Sequence, residues 1–334
     1  MLKYSKETYP RISVIMPVKN RVGTIEKAII SLLDQNYPNY EFLVLDSASD
    51  DGTLQIIEKY RDKIHHFRSH KDAGPNAAVN EGIDKSSGEI ISFLASDDWL
   101  SPDTLIRVGE AFIENPDVEM VNVLGHIVGK DENGGYVDGY TSTAEDMHIS
   151  KGHVKAFHPN CRFFKKTVFS TYGRMIESVN GEMTYAPDYE LITRLSFFNI
   201  KNITLDFIGY TYLAHEGSLT YNDKKYTKLK LADQKVFYIE NFLKNYTHLL
   251  NNEAIELLKV DLRKMLARRV VRNLVDKKYL LAKKNTRYGI KEFDFLFIFR
   301  IIRYYISYNL RINKVIKKSN LAIIKCKKNI LEYR

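Results

Sequence analysis

The feature that most constrains this chain is an alternation. Short apolar runs that stop at polar or acidic residues take turns with segments whose apolar residues recur every three or four positions. Arg11–Met16 (RISVIM) is such a run and is expected to be stopped by Pro17. Glu41–Leu45 ends on Asp46, a weaker run lies near Ile64–Arg68, Glu89–Leu94 ends in Ser96-Asp97-Asp98, and Glu119–Val128 makes one more. Continuous apolar runs of this length are what strands buried on both faces require. Between them, Thr24–Asp34 carries Ile25, Ala28, Ile29 and Leu32 at helical spacing, with Thr24 as the expected cap. Ser49 or Asp50 is expected to open a helix through Thr53–Tyr60, Asn76–Lys85 forms another, and Pro102 starts one that runs to about Asn115. Strand and helix alternating in this way predict an α/β fold with a mostly parallel sheet and helices on both faces.

In such sheets, ligands bind beyond the carboxyl ends of the strands. Here those ends carry Pro17-Val18-Lys19-Asn20, Asp46 and Asp97-Asp98. No glycine-rich phosphate loop follows the first strand, which argues against a dinucleotide or ATP site. Phosphate held without such a loop commonly relies on a divalent cation, and paired carboxylates are hard oxygen ligands suited to Mg²⁺ or Mn²⁺. An Asp-Asp pair alone is more often a turn or a helix cap. The convergence of several strand ends is what gives it weight.

With 334 residues, the chain is long enough for a large α/β domain and an accessory region. Its composition excludes collagen, disorder and a disulfide scaffold. Cys161 and Cys326 are far apart and no charged-then-apolar leader opens the sequence, so both are expected as free thiols in a reducing compartment. The net charge of +9 conceals a split. Residues 1–223 hold 22 basic and 32 acidic side chains (−10), whereas 224–334 hold 28 and 9 (+19). A basic region of this kind seeks an anionic surface, either nucleic acid or a membrane leaflet.

Four linked runs sharpen the reading: Ile12–Asn20 (ISVIMPVKN), Leu43–Thr53 (LVLDSASDDGT), His70–Ile83 (HKDAGPNAAVNEGI) and Gly88–Leu105 (GEIISFLASDDWLSPDTL). In order and spacing they resemble a family 2 glycosyltransferase of the GT-A fold. His158–Gly173 (HPNCRFFKKTVFSTYG) and Ala186–Leu195 (APDYELITRL) resemble the acceptor half of the same domain, so the likeness covers about residues 10–220. It implies a catalytic domain over 1–223, with a nucleotide-sugar half at about 10–128, an acceptor half at about 129–223, and a basic helical region over 224–334.

The resemblance assigns roles. Asp46 would accept a hydrogen bond from the nucleotide base. Pro17, Val18, Lys19 and Asn20 would line the base pocket, and Lys71 and Asp72 would face the nucleoside. Ser96, Asp97 and Asp98 correspond to the family's metal element, with Asp97 and Asp98 holding Mn²⁺ or Mg²⁺ against the diphosphate. Asp188 matches the general base that deprotonates the acceptor hydroxyl, and it also suits a helix cap. His158 and His215 stand near the diphosphate or acceptor. Two departures are visible: Lys19 where the family often has an aromatic residue, and Ala95 where the commonest metal element has its first Asp.

The implied reaction is inverting transfer from a nucleoside-diphosphate sugar, usually a UDP-sugar, to a glycan or lipid-linked acceptor in surface-polysaccharide synthesis. A nucleotidyltransferase of similar fold and a nucleic-acid-binding protein are the alternatives. Trp99 is read as packing beneath the metal loop, and Lys165 and Lys166 as solvated surface charges.

From Tyr226 onward there is no proline and one glycine, Gly289, so long helices are expected over Lys228–Tyr246 and Glu253–Val275. Leu257, Leu258, Leu262, Leu266, Val270 and Leu274 form one stripe. In Phe293–Arg311, Arg300, Arg303, Ser307 and Arg311 fall in a narrow sector of an otherwise aromatic and aliphatic helix. Its uninterrupted apolar runs are too short to span a bilayer. Together with the Lys-rich Lys314–Lys328, residues 290–334 are expected to lie on an anionic membrane face, giving a cytoplasmic protein peripheral on the inner membrane. A helix buried on the body or in a homodimer contact is the other reading.

Overall fold

The structure is a computed structural model that describes residues 3–131, 135–150, 159–179, 181–184, 187–215, 226–275, 278–293, 297 and 300–303. Their elements are, in order, β1 (Ile12–Val18), α1 (Ile25–Leu33), β2 (Tyr40–Asp46), α2 (Thr53–Lys59), β3 (His66–Ser69), α3 (Pro75–Lys85), β4 (Ile90–Phe93) and β5 (Trp99–Leu100). There follow α4 (Thr104–Glu114), β6 (Met120–Lys130), β7 (Tyr136–Thr141), α5 (Ala144–Met147), β8 (Arg162–Lys165), α6 (Thr167–Thr171), β9 (Ser178–Val179) and β10 (Glu182–Met183). The last are α7 (Pro187–Phe197), β11 (Asn202–Leu213), α8 (Tyr226–Asn245), α9 (Asn252–Val275) and α10 (Tyr279–Phe293).

Among the described residues, one nine-stranded sheet runs β3-β2-β1-β4-β8-β6-β11-β5, with β7 added on β6. The pairs β1–β2, β1–β4, β2–β3 and β6–β11 are parallel, while β8 runs antiparallel between β4 and β6. The principal strands therefore end at one edge, as the expected mostly parallel architecture requires. Alternation along β1 explains the two-sided burial. Val14 and Met16 join Ile25, Ile29 and Leu32 of α1 and Leu105 and Val108 of α4 in one core. Ile15 faces the opposite core with Val79 and Ile83 of α3 and Leu191 and Leu195 of α7.

Five local expectations need correction. Pro17 does not stop β1, which continues to Val18. Val18 C=O accepts from Ser47 on the β2 side and Ile15 C=O from Leu94 on the β4 side, so Pro17 faces past the end of β4 and its missing N–H costs no ladder bond. Thr24 does not cap α1; its hydroxyl donates to Ser96 O at 3.0 Å. The residue before α2 is Gly52 (φ 100°), not Ser49 or Asp50. Helix α4 begins at Thr104, after Asp103 with φ 60°. Lys165 and Lys166 are also not merely solvated: their ammonium groups donate to Pro116 O and Ser86 O.

By contacts, the chain divides into Met1–Thr227 with Asn245–Ala254, and Lys228–Lys244 with Ile255–Arg334. In the second unit, Leu258, Leu262, Leu266 and Val270 are buried as the stripe predicted, but Leu257 is exposed. At this point in α9 the buried sector is narrower than the run of leucines. Phe297 and Ile301 are buried, and Phe297 lies where a Cβ on Gly289 would sit. No described helix is long and apolar enough to cross a membrane. Cys161 is a free buried thiol. Cys326, Ser307, Arg311 and the Lys-rich end lie outside the described residues.

Buried Glu41 on β2 pins the amino-terminal edge of the sheet. It accepts from Ser13 Oγ, from Ser87 N and Oγ, and from Gly88 N, with Arg11 Nη2 at 3.4 Å. Burial pushes its carboxyl up, but these hydrogen bonds outweigh burial and leave it below the usual carboxylate range. The stabilisation is therefore present above the unfolded pKa and is lost as pH falls through the folded one. Glu41→Gln is expected to lower stability by about 2 kcal/mol at pH 7. In urea titrations, the gap from the native chain should narrow below about pH 4.

Candidate active site

The loops leaving β1, β2, β3, β4 and β11 meet at the carboxyl edge of the sheet. Asp46, at the end of β2, is fully buried and accepts from Ser49 N (3.0 Å), Ser49 Oγ (2.5 Å) and Ser69 Oγ (2.5 Å). Its carboxylate thus ties its own loop to the end of β3. Asp72 is committed as well. Its Oδ1 accepts from Ser47 Oγ and Gly74 N at 2.9 Å each, and its Oδ2 lies 3.0 Å from Arg68 Nη2. Arg68 also holds Glu81 and the Asp46 carbonyl.

The loop after β1 is equally fixed. Asn20 (φ 51°) exchanges hydrogen bonds with Asp50, and its N–H reaches Ser49 Oγ at 2.8 Å. Pro17 is half-buried and Val18 buried, so neither presents a side chain freely; Lys19 and Lys71 are exposed. Ser96 is buried and holds α1 through the Thr24 hydroxyl.

The two acids after β4 separate sharply. Asp98 is buried; its Oδ2 accepts from Tyr210 Oη (2.7 Å) and its Oδ1 from Leu213 N (3.0 Å). Burial, followed by the charge of Asp97, pushes its carboxyl well above the usual range. Asp98 is consequently a strut between β4 and β11. Tyr210 Oη in turn accepts from Ala95 N (3.2 Å) and Asn160 Nδ2 (3.0 Å). Asp97 keeps a carboxylate at the cluster: Oδ2 lies 3.0 Å from His215 Nε2 and 3.3 Å from Arg21 Nε.

Asp188 occupies the first turn of α7 and is half-buried. On β8, Arg162 is fully buried and bonded to Asn122 Oδ1 and Met147 O. Burial pulls the Arg162 guanidinium down to about 10, opposed by Cys161 and by the charge of Asp188. His158 lies outside the described residues. Trp99 is half-buried, with Lys27 Nζ 3.1 Å from its ring centroid and Tyr136 at 5.3 Å. Arg21, Tyr210 and Arg162 were not anticipated. A lone arginine in a loop or strand carries no local signal, and Tyr210 is 112 residues from its partner Asp98.

No cluster of three or more potential metal-binding side chains exists among the described residues. Asp97 and His215 supply two donors. Asp97 Oδ2 and His215 Nε2 lie 3.0 Å apart. A carboxylate paired with an imidazole suits Mn²⁺ better than Mg²⁺, which prefers oxygen alone. The pair would hold a divalent ion, which would act there as a Lewis acid.

Residues 13–173 match the profile described as Glycosyl transferase family 2. An uncharacterized glycosyltransferase of Haemophilus influenzae is 37% identical over 109 residues, 32% of this chain and 44% of that protein. The GalNAc(5)-diNAcBac-PP-undecaprenol beta-1,3-glucosyltransferase of Campylobacter jejuni is 40% identical over 95 residues, 27% and 31% of the two chains. The chain thus spans less than half the length of either relative. The fold is shared with S. aureus TarS 1-349 in complex with UDP-GlcNAc (TM-score 0.53, 19% identity, 79% and 73% coverage). It is also shared with the mannosyltransferase PcManGT from Pyrobaculum calidifontis in complex with GDP-Man and Mn²⁺ (TM-score 0.53, 18% identity, 91% and 89% coverage).

Replacing Tyr210 by Phe keeps the ring but leaves Asp98, Asn160 and the Ala95 N–H each short of a partner. A loss of about 2 kcal/mol in urea unfolding is expected. A loss below about 0.5 kcal/mol would mean that the strut does not hold the loop.

Proposed function

We propose, from the match of residues 13–173 to the Glycosyl transferase family 2 profile, that this chain moves a sugar from a nucleoside-diphosphate sugar to a hydroxyl of a glycan or lipid-linked acceptor, with inversion. The observation that carries the reading is the Asp97–His215 pair, set where the loops from β1, β4 and β11 converge. Complexes of the fold neighbours with UDP-GlcNAc and with GDP-Man and Mn²⁺ support a nucleotide-sugar donor. The undecaprenol-linked acceptor named for the Campylobacter relative supports a lipid-linked one.

Asp97 and His215 would hold the cation. When bound, it would supply Lewis-acid stabilisation of charge on the leaving diphosphate. Exposed Lys19 and Lys71 offer positive charge to the donor. Asp46, Asp72 and Asp98 act one step back by fixing the loops. Asp188, in the first turn of α7, takes the proton from the acceptor hydroxyl as it attacks opposite the leaving group. The +19 charge of residues 224–334 supports peripheral contact with anionic headgroups.

Asp188→Asn is expected to reduce transfer about 10²–10⁴-fold while leaving UDP affinity in calorimetry near that of the native chain. Equal losses of binding and rate would remove Asp188 from the role of base. Release of pyrophosphate instead of nucleoside diphosphate would point to nucleotidyl transfer. Sedimentation with vesicles containing anionic lipid, compared with neutral vesicles, tests the membrane contact.

A further inference from the structure

Arg21 lies in the loop after β1, and its backbone is fixed: its N–H donates to Thr53 Oγ1 at 2.7 Å. Its guanidinium spans to the opposite loop, with Nη1 bonded to Lys19 O (3.2 Å) and Asn20 O (3.0 Å) and Nε 3.3 Å from Asp97 Oδ2. That is the same carboxylate oxygen that His215 Nε2 approaches at 3.0 Å. Arg21 and Asp97 side chains retain 21% and 12% exposure, so the contact is open to exchange.

We propose that Arg21 is the resident counter-cation of the Asp97 site and that it transfers to the donor diphosphate when a divalent cation and the donor bind together. This rests on the reading of Asp97 and His215 as metal ligands and adds a residue to it. Charge counting gives the reason. With Arg21 in place, Asp97 is already neutralised, so a divalent ion entering alone brings two positive charges against a guanidinium. A nucleoside diphosphate arriving with the ion balances both, and its oxygens suit the planar guanidinium fork better than one shared carboxylate oxygen does. Cation and donor binding are coupled through one side chain, and the coupling is reciprocal.

The test is Mn²⁺ titration calorimetry on the full chain, with and without UDP. In the native protein, UDP should tighten Mn²⁺ binding about tenfold or more, equivalent to about 1.4 kcal/mol. Arg21→Met should bind Mn²⁺ alone about tenfold more tightly and lose most of the enhancement by UDP. Arg21→Lys keeps the charge without the fork, so it should bind Mn²⁺ alone as weakly as the native chain and also lose the enhancement; it serves if Arg21→Met does not fold. Arg21→Met binding Mn²⁺ no more tightly than the native chain, or either variant keeping the full enhancement, would overturn the proposal. Asp97→Asn separates the two levels. If it binds Mn²⁺ like the native chain, the metal-site reading fails. If it loses Mn²⁺ while the Arg21 variants behave as native, only the role of Arg21 fails. A native chain that binds no Mn²⁺ even with UDP would remove both.

Discussion

The site depends on one buried carboxyl group. Asp98 accepts the N–H of Leu213 and the hydroxyl of Tyr210, and so fastens the end of β11 to the loop leaving β4. Two residues beyond Leu213 the chain reaches His215, and one residue before Asp98 stands Asp97. Fixing 98 to 213 is what delivers 215 to 97. A carboxyl group buried this deeply is stable only because its oxygens are satisfied. The same burial raises its pKa, which suits a group that holds structure.

Asp46 follows the same logic on the other side of β1. It gathers Ser49 and Ser69, while Ser49 receives Asn20, so the ends of three neighbouring strands are set by one buried acid. Arg68 reinforces that edge by bridging Asp72 and Glu81. The acids at the strand ends thus fall into two kinds. Asp46, Asp72 and Asp98 spend their oxygens on the protein, whereas Asp97 shares its oxygen only with groups that can be exchanged for a ligand.

The strands and helices were legible because two-sided burial writes itself into continuous apolar runs, and helical packing into three-to-four spacing. The elements of the first 130 residues accordingly fall close to where the pattern set them. Pro17 misled because its effect depends on which neighbour its backbone faces, and that is decided by β4 ending at Phe93. The position of the acids was legible as well, since each follows an apolar run. Their direction was not. Whether Asp98 turns inward is settled by Tyr210 and Leu213, more than a hundred residues away, and no local pattern carries that information. Leu257 shows the same limit on a helix, where spacing gives a face but its width is fixed by what packs against it.

Ala95 and Arg21 are best understood together. Where the family commonly has a further acid, Ala95 contributes only a backbone N–H to Tyr210 Oη. With that charge missing and Asp98 withdrawn, Asp97 is the one acid of the β4 loop still facing the cluster, and one guanidinium suffices to balance it. A second carboxylate here would attract a divalent ion without help from the donor. On the proposal made above, a single one beside Arg21 would leave the ion weakly held until diphosphate charge arrives. The substitution that looks like a loss in the sequence is therefore what makes a resident arginine possible in the structure.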